Sequence, residues 1–170
     1  MKFGGEVPCL RPEKLATDSS STIDSVIHMI NFLKQKEKYI PDYICLLQCT
    51  SPFRKCEDID TAIEKLVDSE FDGIISVCET EVNPYWTNIF ENNRLKYFLE
   101  EGKFITRRQD LPKVYRYNGA IYIIKVDVLV KGKSFETENI TGYIMSNANS
   151  IDIDTDLDFK IAEILMKERE

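Results

Sequence analysis

Residues 43 to 54 read Tyr43, Ile44, Cys45, Leu46, Leu47, Gln48, Cys49, Thr50, Ser51, Pro52, Phe53, Arg54, and the fold turns on how this stretch divides. Tyr43 to Leu47 is a short apolar run without polar alternation, which predicts a strand covered on both faces in a parallel sheet. Beyond Arg54, apolar residues return at helical spacing at Ile59, Ala62, Ile63, Leu66 and Val67, and Gly73 to Cys78 supplies a second unbroken run. Strand, helix, strand is an α/β crossover. Ligands of such sheets sit at the carboxyl ends of the strands, so the Gln48 to Arg54 loop is where a site is expected.

Upstream, Asp18 and the hydroxyl residues Ser19 to Thr22 precede Ile23, Val26, Ile27, Ile30 and Leu33, the spacing of an amphipathic helix behind good capping residues. His28 falls inside that helix and reads as a surface or core-edge residue. Downstream, residues 84 to 117 change character, with Tyr85, Trp86, Phe90, Tyr97 and Phe98, an Asn92-Asn93 turn and a basic pair at Arg107 and Arg108. That composition predicts a hairpin excursion serving as a lid or an oligomer contact. Asn118 to Ile124 returns to strand-like sequence, a short helix is expected near Asp127 to Val130, and Tyr143 to Met145 leads to the last motif.

That motif is a ladder of aspartates, Asp152, Asp154, Asp156 and Asp158, with Ile151, Ile153 and Leu157 among them. As a strand it would send Ile151 and Ile153 into a core and hold Asp152 and Asp154 together on the other face. Two adjacent carboxylates repel unless solvated or neutralised, and their hard oxygens suit magnesium bound to phosphates. Thr155 and Asp158 have the spacing of a capping box ahead of Ile161, Ile164 and Leu165, which gives Asp156 and Asp158 a helix-starting role. An EF-hand loop would need glycine where Leu157 stands, so calcium binding of that kind is set aside.

Length and composition fit one soluble domain spanning residues 1–170, and no stretch is long and apolar enough to cross a membrane. The formal charge of −7 argues against nucleic-acid or anionic-membrane partners. Five cysteines without a Cys-x-x-Cys pair, beside a single histidine, make a zinc site improbable. Most of the thiols are expected to be small buried hydrophobes in a reducing, cytoplasmic compartment.

Arg11-Pro12 with Leu15-Ala16 and Asp18, then Leu46 to Arg54, then Asn118-Gly119-Ala120-Ile121-Tyr122, then Ser150 to Asp154 occur in one order over essentially the whole chain. Together they resemble the acylneuraminate cytidylyltransferases, or CMP-sialic acid synthetases. The resemblance implies a three-layer, nucleotidyltransferase-like (Rossmann-like) α/β fold with a mixed, mainly parallel sheet and a hairpin dimerisation insertion at 84–117. It implies an enzyme that joins CTP to a nonulosonic, nine-carbon sugar acid with Mg2+, and a homodimer. By position, Arg11 and Thr22 would contact cytosine, and Gln48, Thr50 and Ser51 the sugar. Asp152 and Asp154 would be the metal ligands. Asn118, Tyr122 and Phe135 would line the sugar pocket, while Arg108 and Arg116 would meet carboxylate or phosphate charge, within one subunit or across a dimer interface. Gln48, Asp154 and Arg108 are the candidates for catalysis. Cys49 replaces a proline common at its position in the family.

Each residue also has a plainer reading. Gln48, Thr50 and Ser51 could cap the next helix, Asn118-Gly119 could be a turn, and Arg108, Arg116 and Thr22 could be solvated. The family opens with a strand and a glycine-rich loop for the CTP phosphates, and neither is found in this sequence, which reads as truncated and therefore inactive alone. The alternatives are a naturally short, non-catalytic sugar-binding or scaffold module, or another nucleotide-sugar enzyme with an Asp-x-Asp pair, such as a glycosyltransferase. The Gln48 and Asn118 motifs favour the cytidylyltransferase.

Overall fold

The computed structural model describes residues 4–169. Its sheet is built from β1 (Tyr43–Leu46), β2 (Gly73–Glu79), β5 (Tyr115–Lys125) and β6 (Ile140–Ile144), in the order β1-β5-β2-β6. β5 runs antiparallel to both β1 and β2, while β2 and β6 pair in parallel. Three strands thus share one direction and β5 opposes them, a mixed sheet as the resemblance implies. β3 (Asn88–Glu91) and β4 (Arg94–Tyr97) form a separate two-stranded hairpin.

Helices cover both faces because β5 alternates. Ile121 and Ile123 pack with Ala62 and Leu66 of α2 (Cys56–Val67). Ile124, with Tyr122 packed alongside, meets Ile30 of α1 (Thr22–Phe32), Val126 and Leu129 of α3 (Val126–Gly132), and Phe135. The result is three layers, with the long β5 as their spine. α1 starts on Ser21, whose hydroxyl accepts from the Ile23 N–H, as the run of hydroxyl residues predicts.

The hairpin turns on Asn92 and Asn93, both at positive φ (51° and 59°), the backbone of a tight two-residue turn. Phe90 and Leu95 stand 70% exposed on it, and Phe98 and Phe104 beyond it are exposed as well.

Several expectations are corrected. Tyr43–Leu46 is covered on both faces less than predicted: it lies at the edge of the sheet, and Cys45 is exposed. Its apolar sequence reports packing faces and carries no information about which strand lies at the margin. Only Cys78 is a buried thiol; Cys45, Cys49 and Cys56 are exposed and Cys9 is intermediate, because β1, the loop after it and the start of α2 are all superficial. The aspartate ladder forms no strand. Ile151 and Ile153 are half-buried, and the Ile153 N–H donates to the Thr50 carbonyl at 2.9 Å, so the segment is an extended strip against the loop that follows β1.

The capping box is present. The Thr155 hydroxyl accepts from the Asp158 N–H, and the Asp158 carboxylate accepts from the Thr155 N–H at 2.8 Å, opening α4 (Asp156–Lys167). The Thr155 hydrogen bonds hold the Asp158 carboxyl below the usual carboxylate range. Thr155→Ala is expected to lower the melting temperature by about 2–4 °C. A carboxyl with a depressed folded-state pKa stabilises above its unfolded value and loses that contribution as pH falls through the folded one. The gap between parent and variant, read by thermal melts across pH, should therefore narrow on the acid side.

Candidate functional site

Three segments meet where the loop after β1 and the strip after β6 reach β5. Ile75 pairs with Tyr122 but Val77 pairs with Tyr117, so β5 bulges over Asn118 to Ile121. Bulges bend a strand and re-aim its residues, and they concentrate beside functional sites. The freed backbone is held by Ser76, whose hydroxyl accepts from the Ile121 N–H at 2.7 Å and donates to Asn118 Oδ1 at 2.6 Å.

At the crest of the bulge Gly119 takes φ +74°, a left-handed backbone that glycine adopts without penalty. A Cβ there would lie 2.7 Å from Asp152 Oδ2, 2.7 Å from Gln48 Oε1 and 2.9 Å from Ser51 Oγ. The tips of three candidate residues from two other segments therefore crowd round one Cα. Ser51 Oγ lies 3.2 Å from the Asn118 carbonyl and 3.5 Å from Asp152 Oδ1, within donating reach of each. Arg54 locks the loop in place by donating to the Ala120 carbonyl at 2.6 Å and to that of Gln48 at 3.3 Å. α2 begins at Cys56, so Gln48, Thr50 and Ser51 do not cap it.

Asn118 lies beneath this cluster, fully buried with Ser76 and Ser150. Its Oδ1 accepts from Ser76 and from the Ala120 N–H, and its Nδ2 donates to Ser150 Oγ at 2.8 Å. Ser150 in turn donates to the Ser146 carbonyl, fixing the start of the strip that carries Asp152. The network ties β2, the bulge and the strip together, and no buried side-chain N or O atom among the described residues is unpaired. Asn118→Ala would strand several of these groups in the interior, where each unmade bond carries its full desolvation cost. A loss of about 3 kcal/mol in unfolding free energy is expected by denaturant titration.

The other candidates surround the cluster at different distances. Tyr122 stands edge-on to Phe135, ring centroids 5.8 Å apart, with Phe135 in the core. Burial, then the charge of Asp152, raises the Tyr122 pKa, which leaves the phenol protonated at neutral pH. Arg116 pairs with Glu81 at 3.2 Å, and this bond chiefly raises its pKa, with Asp152 adding to the effect. The same bond holds the Glu81 carboxyl below its usual range. Arg108 lines a separate cleft of ≈ 340 Å³ at the root of the hairpin excursion, with Glu79, Glu81, Trp86 and Lys113, and no member of the Gly119 cluster reaches it. Arg11 and Thr22 share a cleft of ≈ 310 Å³ with Leu46, Cys9 and residues of α1. Asp154 is exposed, two residues beyond the half-buried Asp152, and its N–H donates to Asp158.

No group of three or more His, Cys, Asp or Glu side chains assembles among the described residues. The oxygens that meet at Gly119, from Asp152, Gln48 and Ser51, are hard donors of the kind that suit magnesium completed by phosphate and water, and Asp154 follows two residues along the strip. Reasoning from sequence missed Gly119 as the crowding point, and with it Ser76, Ser150 and Arg54. Ser76, one polar residue inside the apolar run Ile74-Ile75-Ser76-Val77, was the available signal.

The sheet order and the layering are those of a nucleotidyltransferase-like α/β fold, with an oxygen-rich cluster where the loop after β1 meets β5. A solved structure, CMP:2-keto-3-deoxy-manno-octonic acid synthetase complexed with CTP, has the same fold, with a TM-score of 0.59 and 17% identity over 90% of this chain and 70% of its own. No protein-family model matches the chain. CMP-N,N'-diacetyllegionaminic acid synthase of Legionella pneumophila is 34% identical over 98% of this chain and 72% of its own length. Post-translational flagellin modification protein B of Campylobacter coli is also 34% identical, over 99% and 72%. The chain belongs to the acylneuraminate cytidylyltransferase family, the synthetases of CMP-linked nonulosonic acids. The reading as a non-catalytic module gains no support from these relatives. No strand precedes β1 among the described residues, and no helix among them is long and apolar enough to cross a membrane.

Proposed function

We propose that the protein transfers the cytidylyl group of CTP to a nonulosonic, sialic-type acid, releasing pyrophosphate. The observation that carries this reading is the convergence of Gln48, Ser51 and Asp152 on Gly119. The hydroxyl at the anomeric carbon of the sugar attacks the α-phosphorus, the new P–O bond forms, and the bond to pyrophosphate breaks on the opposite side. Asp152 and Asp154 would hold magnesium, which would supply neutralisation of the triphosphate charge and polarisation of the α-phosphorus.

The remaining work falls to the chain's own groups. Gln48, with Thr50 and Ser51, orients the sugar hydroxyls by hydrogen bonds from a loop that Arg54 pins. Asp154, solvent-facing, receives the proton of the attacking hydroxyl. Arg11 and Thr22 hold cytosine in the cleft they share. Tyr122, backed by Phe135 and positioned with the bulge by Asn118, bounds the sugar pocket. Arg116 meets the sugar carboxylate or phosphate, for which guanidinium donors are well suited, while Arg108, in a cleft of its own, reaches that charge from the other subunit of a homodimer. The exposed apolar hairpin joins two copies into a homodimer, which would cover Phe90 and Leu95. Cys45, Cys49 and Cys56, exposed as they are, stay reduced in the cytoplasm.

The protein, incubated with CTP, Mg2+ and a panel of nine-carbon keto acids, should release pyrophosphate and give a CMP-sugar by mass spectrometry. Absence of a CMP-sugar with every acid, or group transfer from a preformed nucleotide sugar, would overturn the proposal.

A further inference from the structure

Two of the segments that meet at Gly119 are also gripped from outside the cluster. Arg169 stands two residues beyond α4, and none of its hydrogen bonds goes to a side chain that crowds Gly119. Its guanidinium carbon lies 4.5 Å from the centroid of the Phe53 ring, a cation–π distance. Phe53 belongs to the loop that carries Gln48, Thr50 and Ser51, and it is buried. Arg169 Nη2 also donates to the Ala148 carbonyl at 3.1 Å and to Asn149 Oδ1 at 2.9 Å. Ala148 and Asn149 belong to the short helical turn Asn147–Asn149. Ser150 follows, bonded to Asn118, and the strip then runs on to Asp152.

We propose that Arg169 is a positioning residue for cytidylyl transfer, clasping the Gln48–Arg54 loop to the root of the strip that carries Asp152, a role that rests on reading the Gly119 cluster as the reacting site. The two segments need such a clasp because neither is a strand of the sheet. Among the described residues, one backbone hydrogen bond joins them, from the Ile153 N–H to the Thr50 carbonyl. Arg54 ties the loop to β5 and makes no bond to the strip. The guanidinium of Arg169 is suited to the task, since its flat face stacks on a ring while its N–H groups donate in the plane. One planar group thus holds the loop by its face and the strip's root by its edge.

Arg169→Ala should quicken amide exchange at Ile153 about tenfold by NMR, the scale of one lost charge-assisted bond, with the amides of β5 unchanged. Misplacement by about 1 Å costs roughly a hundredfold, so loosening the two segments should lower kcat/KM for the sugar acid about tenfold. Arg169 is exposed, so its place is open to an ion from solution. Millimolar guanidinium should therefore restore part of the lost rate in Arg169→Ala and leave the parent unchanged, whereas a merely weakened fold would lose more activity in that denaturant. A parent that makes no CMP-sugar would overturn the transfer reading, and exchange at Ile153 would then decide the clasp alone. Exchange at Ile153 equal to the parent's, or quickened to the same extent throughout β5, would overturn the clasp. A transfer rate equal to the parent's, or a loss that guanidinium does not relieve, would overturn it as well.

Discussion

Gly119→Ala should reduce cytidylyl transfer by at least about a hundredfold, because misplacing reacting groups by about 1 Å costs that much. Its methyl group would arrive 2.7 Å from both Asp152 Oδ2 and Gln48 Oε1 and 2.9 Å from Ser51 Oγ, and a Cβ essentially never approaches other atoms so closely. All three side chains would have to move together, and φ +74° adds backbone strain for alanine. Gly142→Ala is the control. A Cβ there would meet only Val77 Cγ2 at 3.5 Å and the Ile75 carbonyl at 3.9 Å, both ordinary contacts, so steady-state rates should stay near the parent's. Circular dichroism should show both variants folded. A Gly119→Ala enzyme within a few-fold of the parent would mean that the cluster has no part in the reaction.

The second large effect separates the two halves of the aspartate ladder. Asp152→Asn keeps the shape of the side chain and its place beside Gly119 but removes the charge. A loss of about 10³-fold in kcat/KM is expected, the scale on which removing one transition-state contact acts in other enzymes. The magnesium dependence of the rate should also shift to higher concentration. Asp156 opens α4 and is exposed, so Asp156→Asn should leave both the rate and its magnesium dependence unchanged. Equal damage from the two substitutions would contradict the division of the ladder into a metal-binding part and a helix-starting part.

Features written in a few adjacent residues were legible in the sequence. Asn92-Asn93 specifies its turn, Thr155 and Asp158 their capping box, and the apolar period of residues 59 to 67 their helix. What failed depends on partners far along the chain. β1 reads like an interior strand, yet β5, some eighty residues later, supplies its only pairing among the described residues. The alternation of Ile151 to Asp154 is that of a strand, but its backbone bonds to the Thr50 carbonyl instead of to a ladder. Asn118-Gly119 reads as a turn or as pocket lining. It is a bulge whose interior amide is consumed by Ser76 and Ser150, and neither serine is marked as its partner by spacing. Arg54 illustrates the same point, since nothing local shows that its guanidinium will reach the carbonyl of Ala120.

Every role assigned to these residues requires the cluster around Gly119 to hold the metal and the reacting phosphate. The most direct test is anomalous diffraction from crystals of the protein grown with CTP and Mn2+ in place of magnesium. A manganese peak is expected on the Asp152 carboxylate with the α-phosphate beside it, and cytosine in the cleft of Arg11 and Thr22. Manganese and triphosphate bound elsewhere, for instance in the Arg108 and Lys113 cleft with Asp152 free of metal, would contradict it.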